Sequence, residues 1–297
     1  MERKTGARIG YFFAAFLPLL GMFAINILVT IPITIVKTTS LMRENPSADY
    51  EFLMNEIMNM TMDSDFQLSV TIIFQIVFIL AGAAIYYFGF KEKKIENPLT
   101  ACPRWSMPEI ICLFIGVCFI VLIVMGVLSS IKPEWFEAYN ELIEQSGIGE
   151  MSALSTLATL ILAPIGEEIC FRGMTFKLSR KFTRKFWVAN CLQALMFGIA
   201  HLNLVQGLYA FFMGIVLGWI YRKFNSLWAT MLAHLSFNFS GTYLSSWILG
   251  DSEETSLLVL AVALISLGLF VSMIILINKN EGAKEREALF MAKYANE

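Results

Sequence analysis

The sequence is poor in charged residues and in histidine. Only 15% of its 297 residues are charged, 57% are hydrophobic, and the mean hydropathy is +0.65. Soluble domains carry about 25% charged residues and rarely reach this apolar fraction. The composition therefore excludes a soluble globular protein and indicates an integral membrane protein that crosses the bilayer several times.

Signatures of several other protein classes are also missing. The chain has no phosphate-binding glycine loop, no nucleic-acid-binding motif, no CxxC or CxxH spacing for structural zinc and no GxSxG nucleophile motif. It has no internal repeat and no paired broken helices, which are typical of secondary transporters. We therefore expect no nucleic-acid partner, and a proton-coupled transporter is a weak alternative.

The long apolar runs predict the fold. A helix needs roughly 20 apolar residues to cross a hydrocarbon core of about 30 Å. Runs of about this length lie near 10–36, 67–90, 107–130, 152–174, 187–203, 204–221, 227–249 and 256–277, of which the fifth is the shortest. The sequence thus predicts an all-α, polytopic membrane protein with about eight transmembrane helices.

Basic residues are distributed unequally between the two sides of this eight-span arrangement. Eighteen of the 22 Lys and Arg residues fall on one side, and only Lys37, Arg43 and Lys132 fall on the other, where acidic residues collect. Because basic loops stay in the cytoplasm, both termini are predicted to be cytoplasmic. The outer segment 37–66 reads as a turn followed by a short amphipathic helix, whose role is open.

The first polar motif in an apolar run is Glu167-Glu168-Ile-Cys-Phe-Arg172. Ionisable residues inside a span are costly and by default indicate a site. Glu168 and Arg172 are four residues apart and share a helix face, whereas Glu167 points about 100° away. The arginine can hold one carboxylate ionised while the other faces a cavity; a purely structural ion pair is the alternative.

The chain's two histidines, His201 and His234, both lie in neighbouring apolar runs. Each has a partner four residues away on the same helix face, in Phe197-x-x-x-His201 and His234-x-x-x-Asn238. A carboxylate and an imidazole can together deprotonate a water, while a second imidazole and an amide can stabilise an oxyanion. These parts suit peptide hydrolysis by an activated water. Three protein ligands with a water would also suit catalytic zinc, in which case Glu167, His201 and His234 are the ligands.

The three motifs, in this order, resemble the CAAX protease and bacteriocin-processing (Abi, CPBP) family of intramembrane endopeptidases, which includes the type II prenyl-protein proteases. The resemblance covers residues 150–250. It implies a division into N-terminal membrane helices of unassigned role at 1–150, a catalytic core at 151–250, and a last membrane helix with a cytoplasmic tail at 251–297.

The resemblance also implies roles for the polar residues. Glu167 would activate the water with help from His201, His234 and Asn238 would form the oxyanion site, and the remaining two polar residues of the first motif would support them. No cofactor is implied. The expected partners are the lipid bilayer and a peptide or protein substrate, either prenylated or the leader of a secreted peptide, and the expected location is a bacterial cell membrane.

Two further expectations concern the site. The catalytic cavity is predicted to lie inside the helical bundle and to open toward the cytoplasmic side. At 1.5 Å per helical residue, His201 lies about 24 Å from Lys185, so the fifth helix must begin deeper, tilt or bend for its imidazole to reach the glutamates. The alternative to an endopeptidase is a bacteriocin-immunity or regulatory membrane protein without catalytic activity.

Overall fold

A computed structural model describes residues 2–90, 106–146, 152–249 and 256–295. These ranges are helical and contain no strand. The α-helices are α1 (Glu2–Ala14), α2 (Leu17–Glu44), α3 (Tyr50–Met62), α4 (Ser64–Ile85), α5 (Met107–Ile131), α6 (Pro133–Ser146), α7 (Ala153–Thr156), α8 (Ala163–Glu168), α9 (Phe176–Phe182), α10 (Phe186–Ile199), α11 (Leu204–Phe224), α12 (Leu227–Phe239), α13 (Ser245–Leu249), α14 (Ser256–Lys279) and α15 (Glu281–Ala295). Short π-helical stretches join or extend them at Tyr86–Phe90, Leu157–Leu162, Ile169–Thr175 and Ser240–Leu244.

The predicted all-α membrane architecture is confirmed. Within the described ranges, six helical stretches are long and apolar enough to cross a membrane: Gly6–Glu44, Ser64–Phe90, Met107–Ile131, Ala153–Phe182, Leu204–Phe224 and Leu257–Lys279. Helix α10 is apolar but shorter, and the helical stretch 227–249, which carries His234, is not among the six. The count of eight spans therefore stays a prediction.

The bundle has two distinct ends. At one end, Arg8 Nε donates to the Phe182 carbonyl at 3.2 Å, and Arg222 Nε pairs with Glu287 of α15 at 2.7 Å. Helix α15 contacts α11, and its Phe290 ring lies 6.1 Å from that of Phe176 in α9. We refer to this as the α15 end. At the opposite end lie α3, α6 and the turn between α10 and α11, and we refer to it as the loop end. The predicted short helix after residue 45 is α3.

Side-chain caps explain where several helices begin. Asp49 and Asp63 accept hydrogen bonds from backbone amides at the starts of α3 and α4, and Asn203 and Ser226 do the same for α11 and α12. Such caps satisfy amides that have no partner within the helix. The turn before α11 includes Leu202, whose φ of 53° lies in the left-handed region.

Helices α10 and α11 form a close antiparallel pair because small residues face each other. A β-carbon at Gly198 would lie 2.6 Å from the carbonyl oxygen of Gly207, and one at Gly214 would lie 3.1 Å from Ala194. In membranes, where apolar burial between helices gains little, such small-residue contacts allow close packing. This pairing fixes the backbone of α11 beside the polar residues of the fourth span.

Candidate active site

A buried ionic cluster lies between the fourth span and α12. Arg172 Nη1 donates to Glu168 Oε1 at 2.9 Å, and His234 Nδ1 donates to the same oxygen at 2.9 Å. Glu168 and Arg172 are 0% exposed and His234 is 3% exposed. The pairing of Glu168 with Arg172 expected from their spacing is therefore present, and it also orients the imidazole of His234.

Glu167 differs from its neighbour in environment. Its side chain is 23% exposed, and its Oε2 lies 3.8 Å from His234 Nε2, which is longer than a hydrogen bond. Because Glu168 holds the opposite ring nitrogen, the Nε2 side of His234 is directed toward Glu167. The structure thus separates the two carboxylates into one that is locked by an arginine and one that is open beside an imidazole.

Phe197 is the packing centre of the site. Its ring is fully buried and lies 4.5 Å from the guanidinium carbon of Arg172, 5.1 Å from the ring of His201 and 5.8 Å from the ring of His234. An arginine over an aromatic face gains a cation–π attraction. The phenylalanine of the F-x-x-x-H motif therefore sets the spacing between the two histidines and the arginine.

His201 lies at the loop end of α10 and not against the carboxylates. Its Nδ1 is 2.8 Å from the Phe197 carbonyl oxygen, which can only accept, so Nδ1 carries the proton and neutral His201 presents a bare Nε2. No other hydrogen bond to this side chain is present among the described residues. Its ring lies 5.1 Å from that of Phe197, and it forms no ion pair with Glu167 or Glu168, so its contact with the glutamates stays a prediction.

The side chain of Asn238 is held by the Thr159 carbonyl, which has no hydrogen-bond partner within its own helix. In the π-helical stretch, the amide of Ala163 bonds to Ala158, so the next carbonyl, that of Thr159, would be paired with Pro164, which has no N–H. Asn238 Nδ2 donates to that Thr159 carbonyl at 2.9 Å. One amide hydrogen of Asn238 is thus used structurally, and the second remains for a ligand.

A polar network that sequence reasoning missed supports Arg172 from α10 and α11. The carbonyl of Gly214 accepts from Gln193 Nε2 at 2.9 Å and from Arg172 Nη2 at 3.5 Å. Gln193 also donates to Asn190, whose amide donates to the carbonyl of Ile215. Both polar side chains are fully buried. Their occurrence within the apolar run that contains His201 is the sequence signal that could have predicted this network.

The side chains around the cluster are buried to different degrees. Toward the α15 end the fully buried ones include Thr175, Phe176, Ser179, Asn190, Leu217, Tyr221, Leu227 and Thr230. Toward the loop end, Thr159, His201, Tyr209 and Asn238 are partly exposed, although the Oγ1 atom of Thr159 is buried. The predicted opening of the cavity toward the cytoplasmic side stays a prediction.

The suggested zinc ligands are not assembled as a metal site. In the ranges that the structure describes, no group of three His, Cys, Asp or Glu side chains could hold a metal ion together. Glu167 lies 3.8 Å from His234, whereas His201 forms no ion pair with either glutamate. The donor set expected for zinc does not fit this arrangement.

Fold and site together define a polytopic helical membrane protein with a buried Glu–Arg–His cluster beside a half-open glutamate. Residues 149–240 match the family model described as type II CAAX prenyl endopeptidase Rce1-like. The chain is also 29% identical over 123 residues to the Bacillus subtilis (strain 168) protein named "Putative membrane peptidase YdiL", a match that covers 40% of this chain and 50% of that protein. No solved structure matches.

These comparisons confirm the resemblance to type II CAAX prenyl endopeptidases that the three motifs predicted. The matched segment contains all six candidate site residues, from the first glutamate pair to the last asparagine. The chain spans about half the length of the curated relative it matches.

Proposed function

We propose that this protein is an intramembrane peptidase in which Glu167 activates a water for attack on a peptide carbonyl. The observation that carries the proposal is the contrast within the Glu167-Glu168 pair: one carboxylate is 0% exposed and ion-paired, and the other is 23% exposed with an imidazole beside it. A general base must reach its water. Glu167 is the carboxylate of the pair that meets this condition, because Glu168 is fully buried and held by Arg172.

His234 and Asn238 are proposed to stabilise the oxyanion. His234 Nδ1 donates to Glu168, so Nε2 can donate to an oxyanion only when the ring is doubly protonated. The free amide hydrogen of Asn238 is the second donor. Glu168 and Arg172 then act as positioning residues that fix the ring of His234.

The role of His201 is the least direct of the set. Its bare Nε2 suits a base or a water-holding group, but reaching Glu167 requires a shift of the turn at residues 200–203 or a bridging water. The match to an endopeptidase family model and the name of the similar Bacillus subtilis protein both support a peptidase. They do not distinguish a prenylated substrate from the leader of a secreted peptide.

The test is cleavage by purified protein of a panel containing prenylated CAAX peptides and secreted-peptide leaders. Glu167→Gln should abolish cleavage and leave the protein folded, whereas Glu141→Gln, the same change on the exposed helix α6, should cleave at the wild-type rate. Full activity of Glu167→Gln would overturn the proposal.

Two alternatives have their own outcomes in the same experiment. Loss of wild-type cleavage on chelation, with recovery on adding zinc, would replace the glutamate mechanism by a metal mechanism. A regulatory or immunity role without catalysis predicts that His201→Ala and His234→Ala keep the cellular phenotype at unchanged protein abundance.

A further inference from the structure

A group of basic side chains lies where α1 meets the end of α9. Arg8 Nε donates to the carbonyl of Phe182 at 3.2 Å, and Lys181 Nζ lies 5.3 Å from the centre of the Tyr11 ring. The Phe12 ring packs on that of Phe182 at 5.2 Å between centroids. These contacts bring a cation of α1 and a cation of α9 together, although the two residues are far apart in the sequence.

Two more cations follow in the turn that joins α9 to α10. We refer to the four residues as the basic cluster: Arg8, Lys181, Arg184 and Lys185. All four side chains are exposed, and among the side chains that the structure describes none of the four forms an ion pair. At the same end of the bundle, by contrast, Glu287 pairs with both Arg222 and Lys223. The basic cluster is therefore a patch of positive charge that no neighbouring acid offsets.

The backbone adds hydrogen-bond donors at the same place. Helix α10 begins at Phe186, directly after Lys185, and no side chain caps its first turn. The amides of a first helical turn have no partner within the helix, and the helix dipole places partial positive charge there. This helix start adds to the attraction that four cations exert on an anion, and phosphate suits both kinds of donor.

The basic cluster lies at the edge of the lipid-facing surface. Trp187 and Val188, which follow Lys185 closely, are exposed, and so is Phe13 of α1. In a membrane such apolar side chains contact lipid, and tryptophan favours the boundary between headgroups and acyl chains. At 1.5 Å per helical residue, Phe13 is about 7.5 Å along α1 from Arg8. The cations are therefore at the depth of the lipid headgroups.

We propose that the basic cluster binds the phosphate headgroup of an anionic phospholipid in the leaflet at the α15 end. The phosphate accepts hydrogen bonds from Arg8 and Lys181, and the acyl chains lie along the apolar surface beside Trp187. A zwitterionic headgroup carries a cation of its own, which the four positive side chains repel. The bound lipid ties α1 to the turn that follows the fourth span. This site is separate from the glutamate site and does not depend on the proposed peptidase function.

The test is lipid binding to the purified full chain, measured by native mass spectrometry from detergent. Dioleoyl phosphatidylglycerol is the anionic probe, and dioleoyl phosphatidylcholine is the zwitterionic reference. One variant combines Arg8→Gln with Lys181→Gln, and a second combines Arg184→Gln with Lys185→Gln. The second keeps the test valid if loss of the Arg8 hydrogen bond destabilises the first, which unfolding temperatures without added lipid will show.

The matched control removes two exposed cations outside the basic cluster, in Lys132→Gln combined with Lys284→Gln. Each cation near the headgroups strengthens binding of an anionic lipid about fivefold, so each cluster variant should bind phosphatidylglycerol about 25-fold more weakly than wild type. The control should bind it as wild type does and should prefer it to phosphatidylcholine. Arg8→Lys, which keeps the charge, should retain most of the affinity.

Unchanged phosphatidylglycerol affinity in both cluster variants would overturn the proposal. An equal loss in the control would also overturn it, because the cations would then act only through the net charge of the protein. Inorganic phosphate should displace no more lipid than chloride at the same ionic strength. Displacement by phosphate alone would overturn the assignment of the ligand as a lipid.

Discussion

The buried ion pair between Glu168 and Arg172 gives a quantitative prediction. Both side chains are 0% exposed, and Arg172 is the largest fully buried side chain among the described residues. Removing one member of such a pair leaves an uncompensated buried charge and costs about 3–5 kcal/mol, whereas replacing both by neutral groups is far less costly. We therefore expect Arg172→Met and Glu168→Gln each to destabilise the protein by about 3–5 kcal/mol.

The double variant should cost only about 1–2 kcal/mol, so the two changes couple by about 4 kcal/mol or more. The measurement is a double-mutant cycle from reversible unfolding in mixed micelles or bicelles. The exposed pair Glu281 and Lys284, 2.6 Å apart at the start of α15, is the control and should couple by less than about 0.5 kcal/mol. Additive costs for Glu168 and Arg172 would refute the reasoning, because they would mean that the charges are solvated.

Three further changes test the packing around the site. Gly198→Ala should destabilise the protein by about 1–3 kcal/mol, since the new β-carbon would lie 2.6 Å from the Gly207 carbonyl oxygen. Gly126→Ala is the control and should not destabilise it, because nothing lies within 4 Å of that position. Thermal unfolding of both variants checks this. Leu202→Gly should stabilise the protein by about 1 kcal/mol, because glycine adopts the left-handed φ of this position without steric cost and the leucine side chain is 79% exposed. A lower melting temperature of this variant would contradict the prediction. Glu287→Gln should speed amide hydrogen exchange in α15 and lower global stability by less than about 1 kcal/mol, because its ion pairs are partly exposed; unchanged exchange would show that packing alone holds the helix.

Several features of the site follow from residues that are close together in the sequence. The four-residue spacing of Glu168 and Arg172 puts them on one helix face, and the structure shows them 2.9 Å apart even though the intervening backbone is π-helical. The capping of α11 by Asn203 and the freeing of the Thr159 carbonyl by Pro164 are likewise consequences of neighbouring residues.

Other features depend on contacts between distant segments. Gln193 lies on α10, one turn before Phe197 of the F-x-x-x-H motif. Its link to Arg172 of the fourth span exists only because both side chains reach the same Gly214 carbonyl. Spacing within one helix cannot show which backbone carbonyl of another helix it will meet. For the same reason, the position of His201 beside Phe197 could be questioned from its depth in the helix but not determined.

The sequence by itself determined the class of the protein: its apolar runs require membrane helices, and its rare ionisable residues inside those runs mark one site, because a bilayer penalises each unpaired charge. The tertiary structure alone decided which glutamate is locked and which is open. That difference depends on the docking of α10, α11 and α12 against the fourth span, and burial in three dimensions, unlike hydropathy along the chain, is a property of those contacts.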